Sequence, residues 1–305
     1  MERRSVALTF DVDLVDWVSG QNVDELSDVM PALLRVLAEI GDVHATFFVR
    51  LDDGIARRFG RADHAFVQAV GLWDRVRGAG HEVAWHHHAA TNCASPANGL
   101  NGEPERPEQD AERLLDGVTR HSLAARALGC TSTRMGWGQH TQETLAQLAL
   151  DGWRADSSAM PRPVYAWDPP LRDWSRAPSV PYLIDELALG HSRARALWEV
   201  PITMVPMATA TDTRSDVCRY VNPAYRAHVF AAAIAVAPTD DPLVLLCHPY
   251  ECAGGRQHPL YAFSMDAVRA NLTRLANHGA RWLTINELVN EVESRPQREI
   301  DADAA

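Results

Sequence analysis

A chain of 305 residues, 46% of them hydrophobic and 23% charged, is long enough for one large globular domain or two small ones, and no break in composition divides it. The formal charge of -11 argues against nucleic acid or an anionic membrane face as the main partner, because a phosphate-binding surface needs clustered cations. All 29 basic residues are arginine, which excludes a Schiff-base lysine and a phosphate-loop lysine.

The opening Met-Glu-Arg-Arg-Ser leads directly into strand-like sequence, and nothing later approaches the roughly 18 uncharged apolar residues of a spanning helix. Strands are predicted at residues 5–10, 44–49, 82–85, 132–135, 154–157, 198–202, 242–247 and 281–285. Between the first two, Leu26, Val29, Met30, Leu33, Leu34, Val36, Leu37 and Ile40 recur at helical spacing; Leu145, Leu148 and Leu150 do so within 142–151. Short strands alternating with helices predict a parallel sheet, and seven or eight such units favour a closed barrel over an open sheet. Segments 92–109, 160–181 and 208–225, rich in Pro, Asn and Gly, read as long loops of the kind that carry function. One domain over residues 1–290 followed by a polar, flexible tail at 291–305 is the expected organisation. The cysteines, Cys93, Cys130, Cys218, Cys247 and Cys252, are odd in number and form no C-x-x-C pair, which suits free thiols in a reducing compartment. A soluble cytoplasmic protein is expected.

Three constellations carry chemistry. Thr9-Phe10-Asp11-Val12-Asp13 closes the first strand, where a side-chain period of two turns Asp11 and Asp13 the same way if the extended backbone continues. Two carboxylates so close need a cation or hydrogen bonds to stay ionised; the plainer alternative is a turn capped by one of them. Gly80 to His88 ends in three adjacent histidines, with His86 and His88 on one side of a strand end and His87 on the other. H-x-H is a metal-chelating arrangement, and with the acidic pair it describes two nitrogens and one oxygen with open positions; a solvated polar loop is the alternative. The apolar run Leu243 to Cys247 reads as a strand buried on both faces, with His248 at the carboxyl end where barrel enzymes collect catalytic side chains. Arg134 and Asp156 each stand near the end of their own predicted strand.

Taken in order, Thr9 to Asp13, Ala45 to Val49, Gly80 to His88, Arg134 to Gly138, Gly152 to Ser158, Leu246 to Pro249 and Trp282 to Glu287 resemble the polysaccharide deacetylases, the NodB-homology or carbohydrate esterase 4 group, over roughly residues 5 to 290. The resemblance implies a distorted (β/α) barrel, usually of seven strands, with a divalent metal held by one Asp and two His. It further implies Asp11 as general base, Asp13 as metal ligand, Arg134 as the residue orienting the base, His248 as general acid and Asp156 as the acid tuning that histidine. Two departures stand out. Val12 separates the acidic pair, as in a variant branch similar to lipid-linked sugar deformylases and allantoinase-like enzymes, and the second histidine of the usual H-x-x-x-H motif would fall on Ala90. With Asp13 and His86, the third ligand then falls to His88, with His87 as the alternative.

The implied activity is metal-dependent hydrolysis of an N-acyl group, N-acetyl first, from an amino sugar or a related small or lipid-linked amide. Zinc is the expected cation, with Co2+, Ni2+ or Fe2+ as alternatives. Trp85, Trp137 and Tyr250 lie beside motif residues and would either stack on a sugar ring or pack the barrel rim. A soluble or lipid-linked intermediate is preferred over a wall polymer, no nucleic acid or spanning segment is expected, and a homo-oligomer is compatible with the sequence. Two rivals remain: a non-haem Fe(II) oxygenase with a two-His, one-carboxylate site, and a catalytically silent carbohydrate-binding relative.

Overall fold

The computed structural model describes residues 4–14, 24–91, 105–161, 171–184, 196–209, 212, 215–254 and 258–295. Cys93, most of the expected loop at 92–109, residues 162–170 of the second loop and parts of the third lie outside the described residues. Every predicted strand is present, as β1 (Ser5–Val12), β2 (Thr46–Arg50), β3 (Glu82–His87), β4 (Ser132–Met135), β5 (Ala155–Asp156), β7 (Trp198–Glu199), β10 (Leu243–Cys247) and β11 (Arg281–Leu283). Three short strands were not anticipated: β6 (Tyr182–Leu183), β8 (Met204–Pro206) and β9 (Cys218–Tyr220). Of these, β9 falls inside a segment expected to be loop. It exists because it pairs antiparallel with β8, Met204 opposite Tyr220, a non-local partner that composition does not reveal.

The main sheet runs β10-β1-β2-β3-β4-β5-β7-β6, with β11 added to the start of β1, and all pairings but β6 to β7 are parallel. It curls into a distorted barrel. The ladder lapses between β7 and β10, where Pro201 supplies no amide donor, and the gap is bridged by Thr203 N–H to the Val244 carbonyl at 3.1 Å and Leu246 N–H to the Val221 carbonyl at 3.1 Å. Parallel strands flanked by helices are unlike the double-stranded β-helix that the oxygenase rival needs.

Alternation along the strands separates two cores. Val6, Leu8, Phe10 and Val12 of β1 face outward into the large cluster beneath the helices, whereas Ala7 joins an inner cluster with Phe48, Ala84 and Val244. Ile285, Leu288 and Val289 of the C-terminal helix Ile285–Glu293 plug this inner cluster at the amino ends of the strands. Toward the carboxyl ends the inner row turns polar: Ala7 gives way to Thr9 and Asp11, Ala84 to His86, and Val244 and Leu246 to His248. Each such position forgoes the ~1.5–3 kcal/mol that a buried Leu or Phe would contribute, so folding alone would select otherwise there.

Part of the expected tail is ordered. The last helix continues to Glu293, because Glu291 accepts a hydrogen bond from Ser5 Oγ at 3.3 Å and Glu293 accepts one from Trp198 Nε1 at 2.9 Å. Among the described residues no helix is long and apolar enough to cross a membrane. Cys130, Cys247 and Cys252 are free thiols.

Candidate metal centre

Extended backbone persists through Val12, so Asp11 and Asp13 both point inward as the period of two requires, and both are buried. Leu14 then turns the chain away with φ 63°, its N–H donating to Glu25 Oε2 at 2.9 Å. From the end of β3, His86 Nε2 reaches within 3.3 Å of Asp13 Oδ1 and 3.9 Å of Asp11 Oδ2. His88 Nε2 lies 3.5 Å from the same Asp13 oxygen and 2.8 Å from His86 Nε2. Asp13, His86 and His88 thus each offer one ligand atom, all within 4.8 Å of one another. They line a cavity of about 350 Å³ together with Asp11, Arg134 and His248.

The donor set fits a divalent cation. Asp13 Oδ1 is buried with no hydrogen-bond partner among the described residues. His86 Nδ1 faces the Arg134 carbonyl at 2.8 Å, which requires a proton on that nitrogen, so that the neutral imidazole presents Nε2 as a lone pair on the side of Asp13. Two nitrogens and one carboxylate oxygen, buried and short of donors, are what a cation with open coordination positions would complete. Burial pushes the Asp13 carboxyl upward, but His88, His86 and His248 outweigh it and hold it well below the usual carboxylate range.

Asp11 is held differently. Arg134 donates from one terminal nitrogen to Asp11 Oδ1 at 2.7 Å and to Thr9 Oγ1 at 2.8 Å, and from its other nitrogens to the carbonyl and hydroxyl of Ser157 at 2.8 and 2.9 Å. With its guanidinium stacked 4.2 Å from the Phe48 ring centroid, Arg134 cannot swing away. Across the cavity, His248 Nε2 lies 3.8 Å from Asp13 Oδ2, and its Nδ1 is 3.4 Å from Glu251 Oε2. Burial would lower the His248 pKa, but Glu251, Asp13 and Asp11 raise it to about 10, so this imidazole carries a proton at neutral pH.

Position 90 explains the altered histidine spacing. Ala90 bridges to Pro107, with Thr91 N–H on the Arg106 carbonyl and Glu108 N–H on the Ala89 carbonyl, so the backbone there forms a short antiparallel ribbon. His88, just before the ribbon, is the residue that faces the cavity. Its ring lies over Gly136, where a Cβ would come within 2.3 Å of Cδ2, and against Trp137 at a centroid distance of 4.4 Å. Trp137 itself adopts φ 55°, a strained conformation for a bulky residue beside a site. His87 turns the other way, its Nδ1 3.4 Å from the Leu51 carbonyl and its ring 5.8 Å from that of His121.

Two expected residues are not brought to the cavity. Trp85 alternates with His86 and faces the outer core, stacked on Trp153 at 5.2 Å with Nε1 bonded to the Leu51 carbonyl, so it packs the barrel rather than a ligand. Asp156 follows the inward Ala155 and therefore points outward, where it meets His140 Nε2 at 3.2 Å and Ser158 Oγ at 2.7 Å. The carboxylate beside His248 is Glu251, three residues on. Trp137 and Tyr250 do line the cavity. Sequence reasoning missed Glu251, Glu105 and Glu25. Glu25 is fully buried, its carboxyl pushed up to about 8 by burial and by Asp13, and it accepts from the N–H groups of both Leu14 and Tyr250. The glutamate three residues after His248 was a readable signal; Glu105 and Glu25 had none, since only the fold brings them near.

Among solved structures, the chain is similar to one described as a polysaccharide deacetylase from Mycobacterium smegmatis, at 18% identity and TM-score 0.55, over 97% of this chain and 96% of the other. It is also similar to 4-alpha-glucanotransferase from Thermococcus litoralis, at 10% identity and TM-score 0.51, over 95% of this chain but 40% of that one. Peptidoglycan deacetylase PdaC from Bacillus subtilis aligns over 99% of this chain and 98% of its own, with 14% identity and TM-score 0.46. No protein-family model matches the chain, and no curated protein matches it in sequence. At these identities the likeness is one of fold, and chemistry must be argued from the site.

Proposed function

Because the chain has the NodB-like deacetylase fold, we propose that it is a metal-dependent hydrolase removing an N-acyl group, N-acetyl first, from an amino sugar or a related small or lipid-linked amide. The observation that carries this reading is the convergence of Asp13, His86 and His88 on one point of the cavity, with Asp13 Oδ1 lacking any hydrogen-bond donor among the described residues. A divalent cation held there, zinc first and Co2+, Ni2+ or Fe2+ as alternatives, would supply Lewis acidity toward the acyl carbonyl and lower the pKa of water. Asp11, fixed by Arg134, accepts a proton from the attacking water, whose oxygen bonds to the acyl carbon. His248, kept protonated by Glu251, gives its proton to the amine as the carbon–nitrogen bond breaks. Trp137 and Tyr250 flank the cavity as stacking surfaces for a ring.

The test combines metal content with product release. Protein carrying stoichiometric divalent metal is expected to liberate acetate or formate from N-acylated amino sugars, to stop on chelation and to resume on re-addition. Purified protein that holds no metal at stoichiometric level overturns the reading. Asp11→Asn should cut turnover by about 10²–10⁴ with metal content unchanged; retained turnover would reassign the base.

A further inference from the structure

His88 has two ways to be neutral, and only one of them makes a ligand. With the proton on Nε2, it donates to His86 Nε2 at 2.8 Å and the two rings close the site between themselves. With the proton on Nδ1, both Nε2 lone pairs face Asp13 and the site is open to a cation. Something must choose.

We propose that Glu105 is the positioning residue that makes this choice, holding the His88 proton on Nδ1 and so keeping Nε2 available; this rests on Asp13, His86 and His88 binding a cation. Glu105 Oε2 lies 3.3 Å from His88 Nδ1, both atoms are buried, and neither has a better-aligned partner among the described residues. The other Glu105 oxygen accepts from a terminal nitrogen of Arg50 at 2.7 Å, and Arg50 Nε donates to Asp52 Oδ2 at 2.6 Å. Asp52 Oδ2 in turn accepts the backbone N–H of His88 at 3.2 Å. The four residues form a closed ring that grips His88 at its backbone and at the far side of its imidazole.

Each part of the ring is explained by a local feature. Asp52 is fixed because its other oxygen caps the helix Asp53–Phe59 through Ile55 N–H at 2.9 Å. Glu105 is delivered by the ribbon that pairs residues 89–91 with 106–108, which also occupies Ala90. The same backbone arrangement that removes the histidine from position 90 therefore supplies a carboxylate to its substitute. The ring carries two carboxylates and one guanidinium, and its surplus negative charge faces the proposed cation, as a carboxylate behind a metal-bound imidazole does. The present Nδ1 to Oε2 contact is close but off the hydrogen-bond line.

The experiment uses the full chain stripped of metal, titrated with Zn2+ and with Co2+ alone, together with nitrogen-15 NMR of the His88 ring. In Glu105→Gln, one amide can satisfy either Arg50 or His88 but presents an N–H to the other. That variant should bind Zn2+ about 10–100-fold more weakly, with an altered Co2+ absorption spectrum and the His88 proton moved to Nε2. Wild-type protein that binds metal, with Glu105→Gln matching it in affinity and in tautomer, overturns the role of Glu105 and leaves the hydrolase reading standing. Wild-type protein that binds neither ion overturns the hydrolase reading and this inference with it. Should Glu105→Gln fail to fold, the metal-free wild type decides: a proton on Nδ1 supports the assignment and one on Nε2 refutes it.

Discussion

Buried histidine and carboxylate meet on both faces of the barrel wall, and an inner and an outer cluster differ in what lies beside them. Outside, Asp156 and Glu199 lie opposite each other in β5 and β7, with His140 Nε2 3.2 Å from Asp156. Burial and the Asp156 charge push the Glu199 carboxyl well above its usual range, whereas for Asp156 the effect of burial is outweighed by His140 and its carboxyl is lowered. Ser158 Oγ donates to Asp156, and Ala159 N–H donates to Glu199 at 2.8 Å. His140 Nε2 and Glu199 Oε2 are nonetheless buried without a hydrogen-bond partner among the described residues. Inside, Asp13, His86 and His88 bring three ligand atoms together beside a cavity. Burial, charge and unmatched polar atoms are common to both places; three ligand atoms converging beside a cavity distinguish the inner one.

The largest effect that sharpens this contrast comes from two neighbouring histidines. His86→Ala should abolish metal retention and turnover. His87→Ala should keep both and lose about 2–5 kcal/mol of stability, the scale of large-to-small core truncations. Metal analysis, product release and denaturant unfolding separate the two, and loss of metal from His87→Ala would break the comparison.

The next effect concerns the acid. His248→Gln should lower kcat by about 10²–10⁴ with metal retained. As a proton donor, His248 supports activity below its pKa and loses it as pH rises through that value, which lies at about 10 with Glu251 in place. Glu251→Gln removes the first of the partners that raise it, so the alkaline limb of kcat should move to lower pH. Asp156→Asn should leave that limb where it is, since Asp156 meets His140 rather than His248. A pH profile of all three variants tests this; movement in Asp156→Asn would restore Asp156 as the tuning acid. On stability, Asp156→Ala should cost about 1–3 kcal/mol, because the hydroxyl of Ser158 and the ring of His140 lose a buried acceptor.

Periodicity made the strands and the inward pairs legible: Asp11 with Asp13 and His86 with His88 follow from a period of two, and His248 from its place after a doubly buried strand. The same rule, applied to Trp85 and Asp156, would have turned both outward, since each adjoins an inward residue, His86 and Ala155. Nearness to a motif suggested the role of Trp85 and the family resemblance that of Asp156, whereas alternation turns both side chains away from the cavity. Glu105 and Glu25 were beyond reach for another reason. Glu105 acts on a histidine 17 positions earlier through a ribbon made by backbone pairing, and Glu25 joins Leu14 to Tyr250 across 225 residues of chain separation from the latter. The first contact depends on pairing of that ribbon and the second on distant chain segments brought together by the fold, neither of which a local pattern encodes. The pairing of β8 with β9 escaped for the same reason.

The smallest effect lies at the other end of the barrel, where His81 precedes β3. Its Nδ1 accepts from Ala45 N–H at 3.3 Å, and its ring packs edge-on to Phe47 at 5.7 Å. Burial, and then the neighbouring His44, lowers its pKa to about 4. In the unfolded chain it titrates near ~6.5. Between these values the unfolded state binds a proton that the folded state lacks, so stability falls as pH drops from about 6.5 toward 4 and the loss is complete below that. The histidine is stabilising only while neutral, the reverse of His248, whose function needs the charge. His81→Gln retains an acceptor for Ala45 N–H without titrating. Its melting temperature should therefore decline less than that of the wild type between pH 7 and pH 5, roughly the window set by the two pKa values. Turnover at pH 7 should be unchanged, because His81 stands at the opposite end of β3 from His86 and does not line the cavity. An identical acid sensitivity in the two proteins would move the titrating group elsewhere; altered turnover would mean that the two ends of the barrel are coupled.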